Sequence, residues 1–188
     1  MMRTTTALRT RTPGVRRLVI TAAVAVLAVI ALTPWLGTPA GAGLAAGGVT
    51  VFDDDVPDVA RLDRDLLDAL RHAAADARRE GITLFVNSGW RSPADQERLL
   101  REAIAQYGSQ EAAARWVATP ATSPHVSGDA VDIGGSDATA WLSVRGAVYG
   151  LCQIYANEPW HYELRPRAVT HGCPRPYANP TQDPRMHR

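Results

Sequence analysis

Two short stretches of this sequence concentrate the side chains that could perform chemistry. The first runs from Ser123 to Asp132 and contains an imidazole, His125, besides the carboxylate of Asp132. The second begins at Glu158, 26 residues after Asp132, and ends at His161. Two histidines and one aspartate are a ligand set for a catalytic zinc ion whose fourth position stays open for water. The remaining carboxylate, Glu158, would then be the general base.

Each of these residues also has an ordinary structural interpretation. His125 could be a loop histidine, Asp132 a turn former, and His161 a strand histidine with one hydrogen bond. A lone histidine is more often structural than a ligand. The clustering favours a metal site, because four candidate groups fall in two short segments of a chain with only five histidines. Composition and spacing by themselves leave both interpretations open.

The local sequence indicates how the four groups could meet. Gly128 lets the chain turn within the first stretch, so that its histidine and its aspartate can face one point. His161 must come from a neighbouring strand. Residues three positions apart on a regular strand face opposite sides. Glu158 therefore reaches the same site only if Pro159 makes a turn, and we predict that turn.

The surrounding elements can be predicted from hydrophobic spacing and from helix signals. Apolar residues recur at helical spacing over residues 62–77, and Gly81 supplies a stop, which predicts an amphipathic helix of about four turns. Residues 82–86 are rich in β-formers and predict a buried strand. Ser92, followed by proline, predicts the start of a helix that runs to about Tyr107.

Shorter elements are predicted in the second half of the chain. A short helix is expected to bury Trp116. The other predicted elements are a helix over residues 136–148 and strands over residues 130–133, 151–155 and 160–164. This mixture predicts an α+β fold, with a small antiparallel sheet, helices packed around it and the candidate zinc site at the sheet.

The N-terminal segment differs in composition from the rest. Residues 1–17 carry five arginines and no acid, and residues 18–36 form an apolar run without a charge. A basic flank before an apolar run is typical of an export signal or a membrane anchor. The predicted organisation is a signal peptide or anchor over residues 1–37, a flexible linker over 38–50, one folded domain over 51–180 and a loose tail over 181–188.

Charge and cysteine content narrow the class of protein. Without the five N-terminal arginines the chain has 15 basic and 19 acidic residues. A net negative domain is not typical of nucleic-acid binding, so we expect no nucleic-acid partner. The two cysteines, Cys152 and Cys173, are expected to form one disulfide in an exported domain. The alternative is that one of them is a metal ligand or a nucleophile. The absence of a CxxC pair and the better ligand set elsewhere argue against it.

Three motifs resemble those of the VanY-type D-alanyl-D-alanine carboxypeptidases, zinc peptidases of bacterial cell-wall metabolism with hedgehog-type fold relatives. The pattern Ser-x-His-x-x-Gly-x-Ala-x-Asp is met from Ser123 to Asp132, and Glu-Pro-Trp-His is met by residues 158–161. The pattern Ser-Gly-Tyr-Arg-Ser-x-x-x-Gln is met by residues 88–96, with Trp90 where tyrosine is common. The motifs occur in the family's order, and the resemblance spans roughly residues 80–165.

The resemblance implies the metal ligands and the general base from four residues of the first two motifs. His125, Asp132 and His161 are the implied ligands of one zinc ion. Glu158 is the implied general base, which must lie beside the metal without binding it.

The third motif implies the substrate side of the site. Arg91 is expected to stabilise the oxyanion or to hold the substrate near the scissile bond. Gln96 and Ser123 are expected to line the substrate site together with Trp90. The exchange of tyrosine for Trp90 removes any hydroxyl contact at that position and leaves the metal chemistry unaffected.

The function that the resemblance implies is removal of the terminal D-Ala from peptidoglycan stem peptides. One alternative is an endopeptidase with the same zinc site. Another is an inactive peptidoglycan-binding module that keeps zinc structurally, against which the intact Glu158 and Arg91 argue. We expect a monomer outside the cytoplasm, either secreted or anchored to the cytoplasmic membrane and facing the cell wall. An uncleaved N-terminal apolar segment would be its membrane contact.

Overall fold

The structure, a computed structural model, describes residues 48–187. The predicted signal peptide or anchor, residues 1–37, and most of the predicted linker lie outside the described residues. Within residues 48–187, no helix has the length and apolar character needed to cross a membrane.

Seven α-helices and four β-strands, with short 3-10 turns between them, build the described part of the chain. The helices are α1 (Pro57–Ala60), α2 (Arg64–Arg79), α3 (Pro93–Tyr107), α4 (Gln110–Ala113), α5 (Pro124–Ser127), α6 (Ser136–Arg145) and α7 (Ala168–His171). The strands are β1 (Phe85–Ser88), β2 (Ala130–Gly134), β3 (Leu151–Gln153) and β4 (His161–Leu164).

The four strands form one sheet in the order β1-β2-β4-β3, and every neighbouring pair is antiparallel. The predicted α+β fold with a small antiparallel sheet is therefore confirmed. Three of the four strands are shorter than predicted, whereas β2 extends one residue further, to Gly134. β1, for example, begins at Phe85 because its pairing with β2 begins there, opposite Gly134. Thr50, at the end of the predicted linker, forms a β-bridge to Phe85.

Helix α2 supplies one wall of the core. The carboxylate of Asp63 caps its first turn by accepting hydrogen bonds from the backbone N–H groups of Asp65 and Leu66. Leu66 and Leu70 are fully buried and belong to the same cluster as the β2 residue Val131. Burial of each leucine contributes about 1.5–3 kcal/mol. The apolar spacing predicted this helix correctly, since the residues predicted to face inward are those that pack.

Helix α3 begins and ends where the sequence predicted. Ser92 caps it through the backbone N–H of Asp95, and Gly108 ends it with φ +83°. The prediction for the following segment was wrong in one respect. Trp116 is 41% exposed and stacks on Tyr107 at 6.2 Å between ring centroids. The small cluster between α3 and α4 is formed by Leu100, Ala103 and Ala113 instead.

The C-terminal segment is packed against the sheet. Cys152 of β3 and Cys173 form the predicted disulfide. Residues 180–187 form two 3-10 turns. The structure differs here from the predicted loose tail, because Asp183 is fully buried and Arg185 forms an ion pair with Glu163 of β4.

Candidate active site

The centre of the site is fixed by the register between β2 and β4. Asp132 lies directly opposite His161 in the antiparallel ladder. Side chains that are directly opposite on neighbouring strands are close together on the same face. The Oδ1 atom of Asp132 lies 3.2 Å from Nδ1 of His161. Strand pairing alone thus joins two residues that are 29 positions apart in the chain.

His125 reaches the same point from the one-turn helix α5. Gly128 ends this helix with φ +84°, and a Cβ there would lie 2.5 Å from the backbone oxygen of Arg61, so only glycine fits. The Nδ1–H of His125 donates to the backbone oxygen of Gly89 at 2.8 Å. That bond leaves Nε2 as the free nitrogen, and it lies 3.4 Å from Oδ1 of Asp132.

One ligand atom from each of His125, Asp132 and His161 therefore converges on one point. These atoms all lie within 4.8 Å of one another. Both histidines are buried, and their rings meet edge to face with centroids 5.1 Å apart. The three residues predicted as a ligand set are thus brought together by the fold.

A carboxylate that sequence reasoning missed stands behind His161. Glu163 is fully buried, and its Oε1 lies 3.2 Å from Nε2 of His161. The sequence could have indicated that Glu163 lies beside His161, because residues two apart on a strand face the same side. A carboxylate that accepts from the second nitrogen of a metal-binding histidine is a common supporting contact.

Glu158 lies beside the trio without joining it. A turn with Pro159 at its second position brings it there, closed by a hydrogen bond from the N–H of His161 to the backbone oxygen of Glu158 at 3.1 Å. This is the turn that the sequence predicted. Oε2 of Glu158 lies 3.9 Å from Nδ1 of His161. Its Oε1 is buried and has no hydrogen-bond partner within residues 48–187.

Arg91 follows β1 and is held in place by its neighbours. Its Nη1 donates to Oε1 of Gln96 at 2.8 Å, and its Nη2 donates to the hydroxyl of Ser88 at 2.5 Å. Gln96 is only 2% exposed, and its amide donates to the backbone oxygen of Ala118. Burial lowers the pKa of Arg91, and the charge of Asp132 opposes that shift. Gln96 therefore orients the guanidinium, in addition to the substrate role predicted for it.

The other two predicted substrate residues border the same region. Ser123 is buried directly before α5, and its hydroxyl makes no capping bond to that helix. Trp90 is half-buried, with the guanidinium of Arg61 4.3 Å from the centroid of its ring.

The charges in the site are strongly coupled. Burial opposes ionisation of Asp132, but the two histidines outweigh it and hold the pKa of that carboxyl well below its usual range. Burial raises the pKa of Glu158 to about 7, with His161 opposing the shift. Burial disfavours the charged ring of His161, but hydrogen bonds with Asp132 and Glu163 outweigh it and raise its pKa to about 9.

These observations fit a bound divalent cation. The anionic surroundings that favour a proton on His161 also favour a metal ion in its place. His125 offers Nε2 and His161 offers Nδ1, because the other nitrogen of each ring is already occupied. A trio of this kind with a buried, unpartnered carboxylate beside it is the arrangement of a metal-dependent hydrolase.

Comparisons with known proteins show which family of metal-dependent hydrolases this chain resembles. The profile of the VanY family, described as D-alanyl-D-alanine carboxypeptidase, matches residues 59–149. That range includes Arg91, His125 and Asp132 and stops before Glu158 and His161. A D-alanyl-D-alanine carboxypeptidase of Enterococcus faecalis (strain ATCC 700802 / V583) is 33% identical over 124 residues, covering 53% of this chain and 44% of its own length. The chain thus spans less than half the length of this curated relative.

Two solved structures extend the comparison. One is a mutant of the vancomycin resistance D,D-pentapeptidase VanY from the VanB-type resistance cassette, in complex with Zn(II). It is 30% identical, with a TM-score of 0.52, and the match covers 55% of this chain and 72% of that one. VanYB in complex with D-Alanine-D-Alanine shares the fold at 24% identity, with a TM-score of 0.56 and coverage of 72% and 83%. The chain belongs to the VanY family of D-alanyl-D-alanine carboxypeptidases.

Proposed function

We propose that this protein is a zinc-dependent D,D-carboxypeptidase that hydrolyses the terminal D-Ala-D-Ala bond of peptidoglycan stem peptides. The observation that carries the proposal is the buried, unpartnered Oε1 of Glu158 beside the His125–Asp132–His161 trio. Leaving a buried carboxylate oxygen without a partner costs free energy. A hydrolase has a use for that oxygen, as the acceptor of a proton from water, whereas a binding module has none.

The proposed roles follow from the contacts of each side chain. His125, Asp132 and His161 would hold one zinc ion. Bound zinc would supply Lewis acidity, which polarises the scissile carbonyl and lowers the pKa of a water to near 7. Glu158 accepts the proton of the attacking water and delivers it to the leaving amine. Burial raises the pKa of Glu158 to about 7 in the metal-free protein, and the charge of a bound zinc ion would lower it, which favours the carboxylate form that accepts the proton.

Arg91 would stabilise the negative charge that develops on the carbonyl oxygen. Arg91 is half-buried and its guanidinium is fixed by Ser88 and Gln96, so little reorganisation is needed when that charge appears. Ser123 and Trp90 would contact the substrate peptide at the border of the site.

The proposal includes a place of action outside the cytoplasm. The disulfide between Cys152 and Cys173 is consistent with an oxidising compartment. An exported enzyme, either released or retained at the membrane by residues 1–37, would meet peptidoglycan stem peptides there.

Mass spectrometry of one defined substrate tests the proposal. The purified protein is incubated with a muramyl pentapeptide ending in D-Ala-D-Ala, with zinc and with a chelator. We expect loss of one alanine, abolished by the chelator and restored by zinc. An internal cut would instead indicate an endopeptidase, and retention of the intact peptide by zinc-loaded protein would indicate a binding module.

The variant Glu158→Gln separates the enzyme from the binding module. We expect turnover to fall about 10²–10⁴-fold, as for other general bases, while zinc and the peptide still bind. A variant that hydrolyses the peptide at the original rate would refute the role of Glu158.

A further inference from the structure

Glu163 is a fully buried carboxylate for which the proposed reaction has no direct use. It lies on β4, two residues after His161 and on the same side of the strand. Its Oε1 accepts from Nε2–H of His161 at 3.2 Å. A buried charge is costly unless it is paired and hydrogen-bonded, so its partners determine what it does.

Two arginines compensate this charge from different parts of the chain. Arg165, the first residue after β4, donates from Nη2 to Oε2 of Glu163 at 2.8 Å. Arg185 donates from Nη1 to Oε2 at 2.6 Å and from Nη2 to Oε1 at 3.1 Å. The carboxylate is thus held at both oxygens by guanidinium groups.

Arg185 is brought to Glu163 by the C-terminal segment, residues 173–187. The disulfide attaches the start of this segment to β3. Tyr177 continues the attachment, because its N–H donates to Ile154 at 2.9 Å and its backbone oxygen accepts from Ala156 at 2.8 Å. The segment then folds back so that its last turn faces β4.

Asp183 fixes the Arg185 guanidinium at the end of this path. It is fully buried, and it accepts from Nε of Arg185 at 3.0 Å and from the hydroxyl of Tyr155 at 3.0 Å. The ring of Tyr155 in turn lies 5.0 Å from the ring of His161, between centroids. The C-terminal segment is therefore linked to His161 in two ways, through Glu163 and through Tyr155.

We propose that Glu163 is a positioning residue for the metal ligand His161, and that Arg185 makes the C-terminal segment part of the metal centre by holding Glu163. The inference rests on the proposed metal site. Glu163 keeps the remaining proton of the neutral ring on Nε2, so that Nδ1 is the nitrogen offered to the metal. Arg185 keeps the carboxylate at the angle from which it can accept that proton.

Measuring zinc affinity distinguishes this positioning role from a role in the stability of the fold alone. Supporting carboxylates of metal-binding histidines typically contribute about 10–100-fold to metal affinity. We expect Glu163→Gln to weaken zinc binding by about that factor, and Arg185→Gln to weaken it less because Arg165 remains. Arg185→Lys, which keeps the charge, should recover part of the loss. Competition with a chromophoric chelator measures these affinities in the full chain.

The matched control is Arg175→Gln. Arg175 lies in the same C-terminal segment and is exposed, so the substitution removes the same charge without touching Glu163. Its zinc affinity should equal that of the wild-type protein. Circular dichroism and a melting curve show that each variant is folded before its affinity is compared.

Nitrogen-15 NMR of the imidazole rings supplies the second measurement. In zinc-loaded wild-type protein, the proton of His161 should reside on Nε2 and the resonance of Nδ1 should shift on metal binding. In metal-free protein at alkaline pH, where the ring is neutral, the wild type should keep this proton on Nε2. Glu163→Leu, or Glu163→Gln if the leucine variant does not fold, should populate both tautomers under the same conditions.

The outcomes separate this inference from the proposed function. If folded Glu163→Gln binds zinc as tightly as the wild type and keeps one tautomer, the inference is wrong while the proposed function stands. If the wild-type protein binds no zinc, both fall.

Discussion

The two histidines of the site are oriented by different means. His125 donates to a backbone oxygen, that of Gly89, at 2.8 Å. His161 donates to a side-chain carboxylate, Glu163, which is itself held by Arg165 and Arg185. One ring is therefore positioned by the path of the main chain, and the other by a network of charges.

This difference decides how the position of each histidine can be perturbed. A backbone oxygen is present whatever the side chain, so only a substitution that moves the main chain can disturb His125. A charge network can be altered by a single side-chain substitution, even one as far along the chain as Arg185. We call the surroundings of His125 the backbone side of the site and those of His161 the network side. Substitutions on the backbone side should change the stability of the fold, and substitutions on the network side should change the affinity for metal.

Removing either ring should have the largest effect and the same effect. We expect His125→Ala and His161→Ala to lose zinc, and with it several kcal/mol of transition-state stabilisation, about 10³-fold or more in rate. The exposed His72 of α2 provides the control, since His72→Ala should leave both properties unchanged. Equilibrium dialysis and the pentapeptide assay measure them. Retention of stoichiometric zinc by either variant would remove that histidine from the ligand set.

The network side should also make the metal-free protein sensitive to pH. Although burial disfavours the charged ring of His161, Asp132 and Glu163 raise its pKa from 6.5 to about 9. A raised pKa means that the folded state holds this proton more tightly than the unfolded state. The resulting stability is fully present below about pH 6.5 and is lost as the pH rises through about 9.

We therefore expect chelator-treated protein to lose up to about 3 kcal/mol of unfolding free energy between pH 6.5 and 9.5, at about 1.4 kcal/mol per unit of pKa shift. Denaturant unfolding at a series of pH values measures it. The slope should be smaller in His161→Gln, which cannot take up the proton, and smaller in zinc-loaded protein. An identical slope in His161→Gln would assign the pH dependence to other groups.

On the backbone side, Gly89→Ala should lower stability. A Cβ at position 89 would lie 2.0 Å from the backbone oxygen of Asp58, which is part of α1 and cannot move without shifting the helix. We expect a loss of about 1–3 kcal/mol, typical of overpacking, visible as a lower melting temperature in the metal-free protein. Glu163→Gln should lose less stability and more zinc affinity. The reverse ranking of the two variants would contradict the distinction drawn between the two histidines.

The difference between the two sides also explains what the sequence could predict. His125 and Asp132 lie in one motif, and the strand pattern together with the β2–β4 register brings in His161. The motif and the strand pattern are local sequence and could be predicted, whereas the β2–β4 register that places His161 opposite Asp132 is seen only in the structure. The helix limits at Ser92 and Tyr107 were predictable for the same reason, because capping residues act within one turn.

Glu163 and Arg185 were missed for two separate reasons. Glu163 shares a face with His161, and strand periodicity could have found it. Arg185 could not be found in this way, because 22 positions separate it from Glu163 and only the disulfide and the pairing of Tyr177 bring it back. A polar segment without periodicity predicts a loose tail whenever its long-range partners are unknown. The predicted burial of Trp116 was wrong for a related reason. Spacing indicates apolar character but does not show which apolar side chains fill the neighbouring cluster.

The smallest expected effect tests whether the network acts as one unit. If Arg185 influences the metal only through Glu163, then Arg185→Gln should weaken zinc binding in the wild-type background and have no effect in Glu163→Gln. The coupling in this double-mutant cycle should be about threefold to tenfold in zinc affinity, near the lower end for residues in direct contact. The same cycle with Arg175 in place of Arg185 should show no coupling, since Arg175 is exposed. Additive losses would mean that Arg185 acts by another route, for example through Asp183 and the ring of Tyr155, and that the charge network is two independent supports of His161.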